Sequence, residues 1–353
     1  MFFSKKEEIV GLDIGSSLIK AVELKEGPKG FQLKNFGVVP LAPEIIVDGL
    51  IIDASRVVEG IRSLFEKQKF KSKDVTISVS GHASVIIKRV TIPEMSEEEL
   101  RESIRWEAEQ YIPFSIEEVE LDFQILSPSK TGAGQMDVLL VAVKKDKIND
   151  YVIVAKEAGL NPVVMDVDAF AIENMYELNY EVELGKNIAL VNIGANTTNI
   201  NIIKDGVSLF TRDSSMGGNQ ITEAIQKEFS LSFENAEKAK RGEDVHAVSS
   251  NAVYSIIENT SKDFATEVSR SIDFFKSTTV GEDVEKVILS GGCAKMRMLS
   301  NILSENLDVP VITANPFNNI YTDPKTFDAG YLQDIAPIAA VAVGLAIRKV
   351  GDK

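Results

Sequence analysis

Two stretches of the chain place small polar residues between apolar runs, with one acid or amide just ahead of them. The first is GLDIGSSLIKAVEL, residues 11–24, and the second is LVNIGANTTNINII, residues 190–203. Asp13 corresponds to Asn192, Gly15 to Gly194 and Ser17 to Asn196, each at an offset of 179 residues. A tight turn between strands exposes successive backbone N–H groups, which form nests for phosphate oxygens. Glycine permits the turn and a close approach to the ligand. Ser16, Ser17, Thr197 and Thr198 add hydroxyl donors, Lys20 adds a positive charge, and Asp13 has the chemistry to hold a hydrated Mg²⁺. Either hairpin alone is also explained as an ordinary β-turn. A matched pair facing across a cleft would grip a polyphosphate from both sides. A third stretch, VILSGGCAKM (287–296), is an apolar strand ending in Gly291-Gly292, where a flat base or ribose can lie against backbone.

Composition removes several other chemistries. The formal net charge is 38 − 53 = −15, which argues against a general nucleic-acid binder and against binding anionic lipid by bulk charge. Cys293 is the only cysteine, and His82 and His246 are the only histidines, so disulfides and Cys- or His-rich metal sites are not expected. No G-x-x-x-x-G-K-[ST] occurs and no G-x-G-x-x-G follows a strand, which excludes a P-loop and the dinucleotide fingerprint. The beginning of the sequence lacks the apolar run of a signal peptide. The alanine-rich stretch 335–350 falls short of the ~20 residues of a membrane span, so it is expected as a buried helix of a cytoplasmic protein.

The elements that must position these residues follow from periodicity. Residues 1 to about 81 give strands, a helix with Val57, Ile61, Leu64 and Phe65 on one face, and a further strand, DVTISVSG. The next helix starts at a capping box of Ser96 and Glu99, carries Leu100, Ile104, Ala108 and Tyr111 as its apolar stripe, and ends before Pro113. Two strands joined by a turn at KTGAG, a helix and the strand NPVVMDVD complete a compact α/β unit. The second hairpin is followed by a long, mostly polar helical region from about 220 to 279. A hairpin repeated half a chain apart predicts two similar halves.

These motifs resemble the actin, Hsp70 and sugar-kinase superfamily. The two hairpins look like its phosphate motifs, VILSGGCAKM its adenosine motif, and DVDAFAIENMYEL and IAAVAVGLAIR its two connecting helices. The resemblance implies an α/β, actin-like (ribonuclease H-like, repeated) two-domain fold with an ATP and Mg²⁺ site between the domains. IRWEAEQYIPF (104–114) and the start MFFSKK…GLDIGSSLIKAVELK are similar to the PilM family of type IV pilus assembly proteins. The inserted unit sits where PilM and the cell-division protein FtsA carry an extra subdomain. FtsA usually ends in an amphipathic membrane-binding helix, whereas here GLAIRKVGDK directly follows the last connecting helix, which favours PilM.

The resemblance implies subdomain 1A from 1–83, 167–185 and 325–353, an inserted 1C from 84–166, 2A from 186–222 and 258–324, and 2B from 223–257. It assigns the phosphates to Gly15, Ser16, Ser17 and Lys20 and to Gly194, Asn196, Thr197 and Thr198, with Gly217 and Gly218 closing the pocket. Gly291, Gly292 and Met296 would contact the nucleoside, Glu237 and Lys240 the adenine or ribose, and Asp13 and, through water, Asn192 the Mg²⁺. Asp168 is the candidate for orienting an attacking water. The family pattern usually has Asp at the position of Asn192. An amide adds no negative charge near the metal and cannot act as a base, so ATP binding with slow hydrolysis at most is expected, below ~1 s⁻¹.

The implied partner is the short cytoplasmic N-terminal tail of the inner-membrane protein PilN, held in a groove between 1A and 1C. Further contacts would be made with other pilus inner-membrane and motor components. Contact with the membrane would run only through PilN, and self-association stays open. Trp106, Tyr111 and Phe114 either line that groove or pack the inserted unit's own core. The competing functions are an FtsA-like filament-forming scaffold and a small-molecule kinase, the latter lacking a clear carboxylate base beside an acceptor pocket.

Overall fold

A computed structural model describes residues 8–128, 134–246, 248–279 and 282–352. Residues 1–7 of the start MFFSKK…GLDIG and most of the KTGAG turn lie outside them. Two sheets share one strand order. The first runs Asn161–Val167, Asp74–Val79, Val10–Ile14, Leu18–Gly27 and Gly30–Pro40, with Ile320–Tyr321 at its far edge. The second runs Val311–Thr313, Val284–Ser290, Asn187–Ile193, Thr198–Lys204 and Val207–Ser214. In each, three strands form an antiparallel meander, and a parallel strand pairs with the meander's first strand. A further parallel strand lies beyond it. The expected repeat is therefore present in the topology. Val10–Ile14 is buried at every position, as a strand covered on both faces must be, which is why it reads as an apolar run rather than an alternation.

One face of the first sheet is covered by the helices Ala54–Gln68 and Lys145–Glu157, the former capped by Asp53 accepting from the Arg56 N–H. The other face packs on Asp168–Asn179 and Ala340–Ala346, which fill the space between the two sheets. These two helices touch backbone to backbone: a Cβ on Gly344 would fall 1.7 Å from the Ala171 carbonyl oxygen. The second sheet buries its outer face against Asn219–Phe229, Phe233–Lys240, Ser250–Thr278 and Arg297–Leu307.

Three boundaries differ from expectation. The polar region 220–279 is three helices, because Ser232 and Ser249 each cap a new start. The closing apolar stretch is a helix Ala329–Ile335, a 3₁₀ turn Ala336–Ala339 containing Pro337, and the helix Ala340–Ala346. By length and composition 329–346 could cross a membrane, and 67% of it is buried in the core. The inserted unit is shorter than 84–166: its sheet of Val85–Pro93, Gln135–Lys144 and Val119–Pro128 has its own core with the helix Glu97–Glu109. Lys145–Glu157 and Asn161–Val167 instead belong to the first sheet and its helices. Residues 223–257 contribute Ile225, Ala236, Ala239 and Val253 to the second sheet's core.

Candidate functional site

The two hairpins close in the same way. Gly15 N–H donates to the Leu18 carbonyl at 3.1 Å and Gly194 N–H to the Thr197 carbonyl at 2.9 Å. The cross-strand pairs Asp13–Lys20 and Asn192–Asn199 also correspond at the offset of the repeat. The turns face each other across a cavity of about 50 Å³, lined by Asp13, Gly15, Ser16, Asn196, Thr197 and Asp168 among others. Five of the residues picked out by type and spacing thus meet at one place, together with Asp168, which the resemblance implied.

The acid at the tip of the first strand is buried. Lys20 Nζ donates to Asp13 Oδ2 at 2.6 Å. Desolvation nevertheless dominates and raises the carboxyl above its ordinary value, with the Lys20 charge opposing and the Asp168 charge adding to the rise. Lys20 therefore balances Asp13 rather than standing free. Asp168, the first residue of its helix, accepts from Ser78 Oγ at 2.6 Å.

In the second half, the loop at Gly217-Gly218 docks on the turn. Gly218 N–H donates to the Gly194 carbonyl at 2.9 Å, and Asn219 N–H to the Ala195 carbonyl at 2.8 Å. Lys240 Nζ donates to the Gly218 carbonyl at 3.1 Å and to Thr222 Oγ1 at 2.7 Å, and it pairs with Glu237. Gly291 has φ +89°, and a Cβ there would lie 2.3 Å from the Ile193 carbonyl oxygen, so only glycine fits. Above Gly292 lies open space. The second-half residues thus run as one chain of contacts from the turn to Lys240.

Some expected contact residues lie outside the cavity or are engaged elsewhere. Thr198 is buried and its hydroxyl donates to the Met216 carbonyl at 2.8 Å, so it has no proton left for a phosphate. The Ser17 carbonyl accepts from Leu41 N–H, and Ser17 does not line the cavity. Met296 packs against the core of the second sheet. Asn192 donates to Asn199 Oδ1 at 2.9 Å and accepts from Ser290 Oγ at 3.3 Å.

Three participants were not picked out from the sequence. Asp213 accepts from Asn199 Nδ2 at 2.8 Å and, across the cleft, from Gly81 N–H at 2.7 Å. Burial raises its carboxyl, with those two hydrogen bonds opposing. Tyr151 and Lys147 stand at the other wall, on the helix Lys145–Glu157. No local pattern marks them, because each is brought in by the tertiary fold.

The chain matches the family model for type IV pilus assembly protein PilM over residues 11–350. The chain belongs to the PilM family. Among solved structures it is similar to a PilM–PilN type IV pilus biogenesis complex at 31% identity and TM-score 0.86, covering 98% of this chain and 100% of that one. It shares its fold with MreB5 of Spiroplasma citri bound to ADP, at 14% identity and TM-score 0.52, covering 93% of this chain and 98% of that one. Cell division protein FtsA of Bacillus subtilis is 24% identical over 67% of this chain, and the match spans 58% of the length of that relative. The actin-like fold and the resemblance to the PilM and FtsA families are thereby borne out.

This PilM-family chain has a second cavity, of about 450 Å³, between the inserted sheet and the helix Asp168–Asn179. Leu121, Phe123, Leu139, Val141, Ile148 and Phe170 give it apolar walls, while Asp166, Glu173, Asn174 and Arg348 form a polar end. Arg348 Nε lies 3.1 Å from Asp166 Oδ2. Glu173 accepts from Asn201 Nδ2 at 2.9 Å, and desolvation pushes its carboxyl up to about 8. Trp106, Tyr111 and Phe114 do not line this cavity: Trp106 is 78% exposed, and Tyr111 and Phe114 pack on the inserted unit's core.

Proposed function

We propose that the chain is a cytoplasmic adaptor of the type IV pilus inner-membrane assembly machinery. It binds the cytoplasmic N-terminal tail of PilN in the 450 Å³ cavity and holds ATP with Mg²⁺ between its two halves. The observation that carries the reading is that cavity itself, an apolar-walled groove with a polar end, in a chain of the PilM family. An extended segment with apolar side chains suits such walls, and Asp166, Asn174 and Arg348 supply polar partners for its backbone or amides. Contact with the membrane runs through PilN, and pilus motor components are further partners.

Matched turns of backbone N–H groups, a buried carboxylate at Asp13 and open space above Gly292 suit a nucleoside polyphosphate. Gly15, Ser16, Gly194, Asn196 and Thr197 would hold phosphates, Gly292, Glu237 and Lys240 the nucleoside side, and Asp13 a hydrated Mg²⁺. The metal, when bound, neutralises phosphate charge. Asn192 offers an amide already engaged by Asn199 and Ser290, and so no base. ATP is held and turned over slowly at most.

The test is a pull-down with synthetic N-terminal tails of inner-membrane pilus proteins, with and without ATP. Capture by the PilN tail alone supports the reading, and no capture in either condition refutes it.

A further inference from the structure

A buried lysine stands beside the phosphate end of the cleft. Lys147 is 2% exposed, and its ammonium donates to the Gly49 carbonyl oxygen. Tyr151 OH donates to the same oxygen at 3.1 Å. Gly49 is at the tip of a small hairpin, Ile46–Val47 paired with Leu50–Ile51. Its turn residues Asp48 and Gly49 have φ of +48° and +73°, the positive pair that a two-residue type I′ turn demands.

The hairpin lies across the phosphate cavity. Ile46 and Gly49 line that cavity together with Gly15, Ser16, Asn196 and Thr197. From the second half, Asn196 Nδ2 donates to the Ile46 carbonyl at 3.2 Å. The hairpin is thus tied to the first half by Lys147 and Tyr151 and to the second half by Asn196. The space between the turns and the hairpin, about 50 Å³, is partly open to solvent and small beside an ordinary ligand pocket of ~300 Å³ or more. A triphosphate seated between the turns would lie against the hairpin at Ile46 and Gly49.

A buried ammonium needs hydrogen-bonding partners to offset its lost hydration. Here it spends its charge on a peptide carbonyl, with the Tyr151 ring 4.8 Å away. A charged donor strengthens that bond relative to a neutral one. We propose that the hairpin Ile46–Ile51 is a strap over the terminal phosphates and that Lys147 is the positioning residue that latches it, so that the strap sets the rate of nucleotide exchange. This rests on the nucleotide reading above.

The experiment compares the wild type with Lys147→Met and Tyr151→Phe. Release of mant-ATP is followed by stopped flow, and a spin label on Asp48→Cys reports the hairpin with and without ATP. Cys293 is buried, with its thiol pushed up to about 12 by desolvation, and so does not compete for label. Lys147→Met keeps an apolar stem but loses the charged donor, and about tenfold faster release is expected. Tyr151→Phe loses only a hydroxyl and should quicken release by less, about threefold. Label mobility should rise in both variants without ATP. If Lys147→Met fails to fold by circular dichroism, Tyr151→Phe alone decides. Wild type that binds mant-ATP, with release unchanged in the folded variants, overturns the strap whatever the label reports. Failure of the wild type to bind mant-ATP overturns the nucleotide reading instead, and with it the strap's role in exchange.

Discussion

Replacing Glu173 by Gln should make the protein more stable at neutral and alkaline pH but not at pH 5. Glu173 lies on the helix Asp168–Asn179 and is tied to Asn201 of the second sheet, whose Oδ1 accepts from Ser208 Oγ. Desolvation raises its folded-state pKa from 4.5 to about 8, and the Asn201 hydrogen bond only partly opposes this. The folded protein therefore keeps a proton that the unfolded chain releases above pH 4.5. The protonated group contributes its full stability below that value, and stability is lost as pH rises toward about 8. At pH 7 the two states differ by about 2.5 pH units at about 1.36 kcal/mol each, or about 3 kcal/mol. Relaxation and water entry around a buried charge lower this toward about 2 kcal/mol. Glutamine keeps an acceptor for Asn201 and replaces the carboxyl proton with an amide donor. In urea titrations the variant should gain about 2–3 kcal/mol over wild type at pH 7 and little at pH 5, because other titrating groups cancel in the difference. A difference that does not change between pH 5 and 8.5 would refute the reasoning.

Three further outcomes follow from the packing and the site. Gly344→Ala should destabilise by about 1–3 kcal/mol in thermal or urea unfolding, because its Cβ must displace the Ala171 carbonyl. Ser96→Ala removes the acceptor for Glu99 N–H in a two-way capping box and should cost about 1 kcal/mol, read as local loss of hydrogen-exchange protection at the start of Glu97–Glu109. Asp13→Ala should abolish Mg²⁺-dependent ATP binding in calorimetry, and wild-type turnover should stay below ~1 s⁻¹. Turnover above that rate that vanishes in Asp13→Ala would contradict the holding role.

The central frame was legible because it rests on local signals. Glycine turns between apolar runs mark Gly15 and Gly194, and the shared spacing around them carries the repeat that both sheets display. The capping box at Ser96 and the stripe Leu100, Ile104 and Ala108 were equally local. What escaped depends on long-range contacts. Lys147 reaches Gly49 across 98 residues, and Asp213 reaches Gly81 across 132. The groove walls come from the inserted sheet, from Phe170 and from Gly206–Ser208, which share no motif. Aromatic residues in a family-like stretch drew attention to Trp106, yet the helix Glu97–Glu109 turns it to solvent. Thr198 looked like a phosphate donor by type, but the loop at Met216 claims its proton.

The most direct test is the binding of a fluorescent PilN N-terminal tail peptide, read by anisotropy, to wild type, Phe170→Glu, Leu139→Glu and Trp106→Ala. Phe170 and Leu139 line the groove, whereas Trp106 is exposed outside it. A charge set against the apolar walls should weaken binding at least about tenfold in each of the first two variants, while Trp106→Ala binds like wild type. Tight binding that survives both groove variants but is lost with Trp106 would contradict the account.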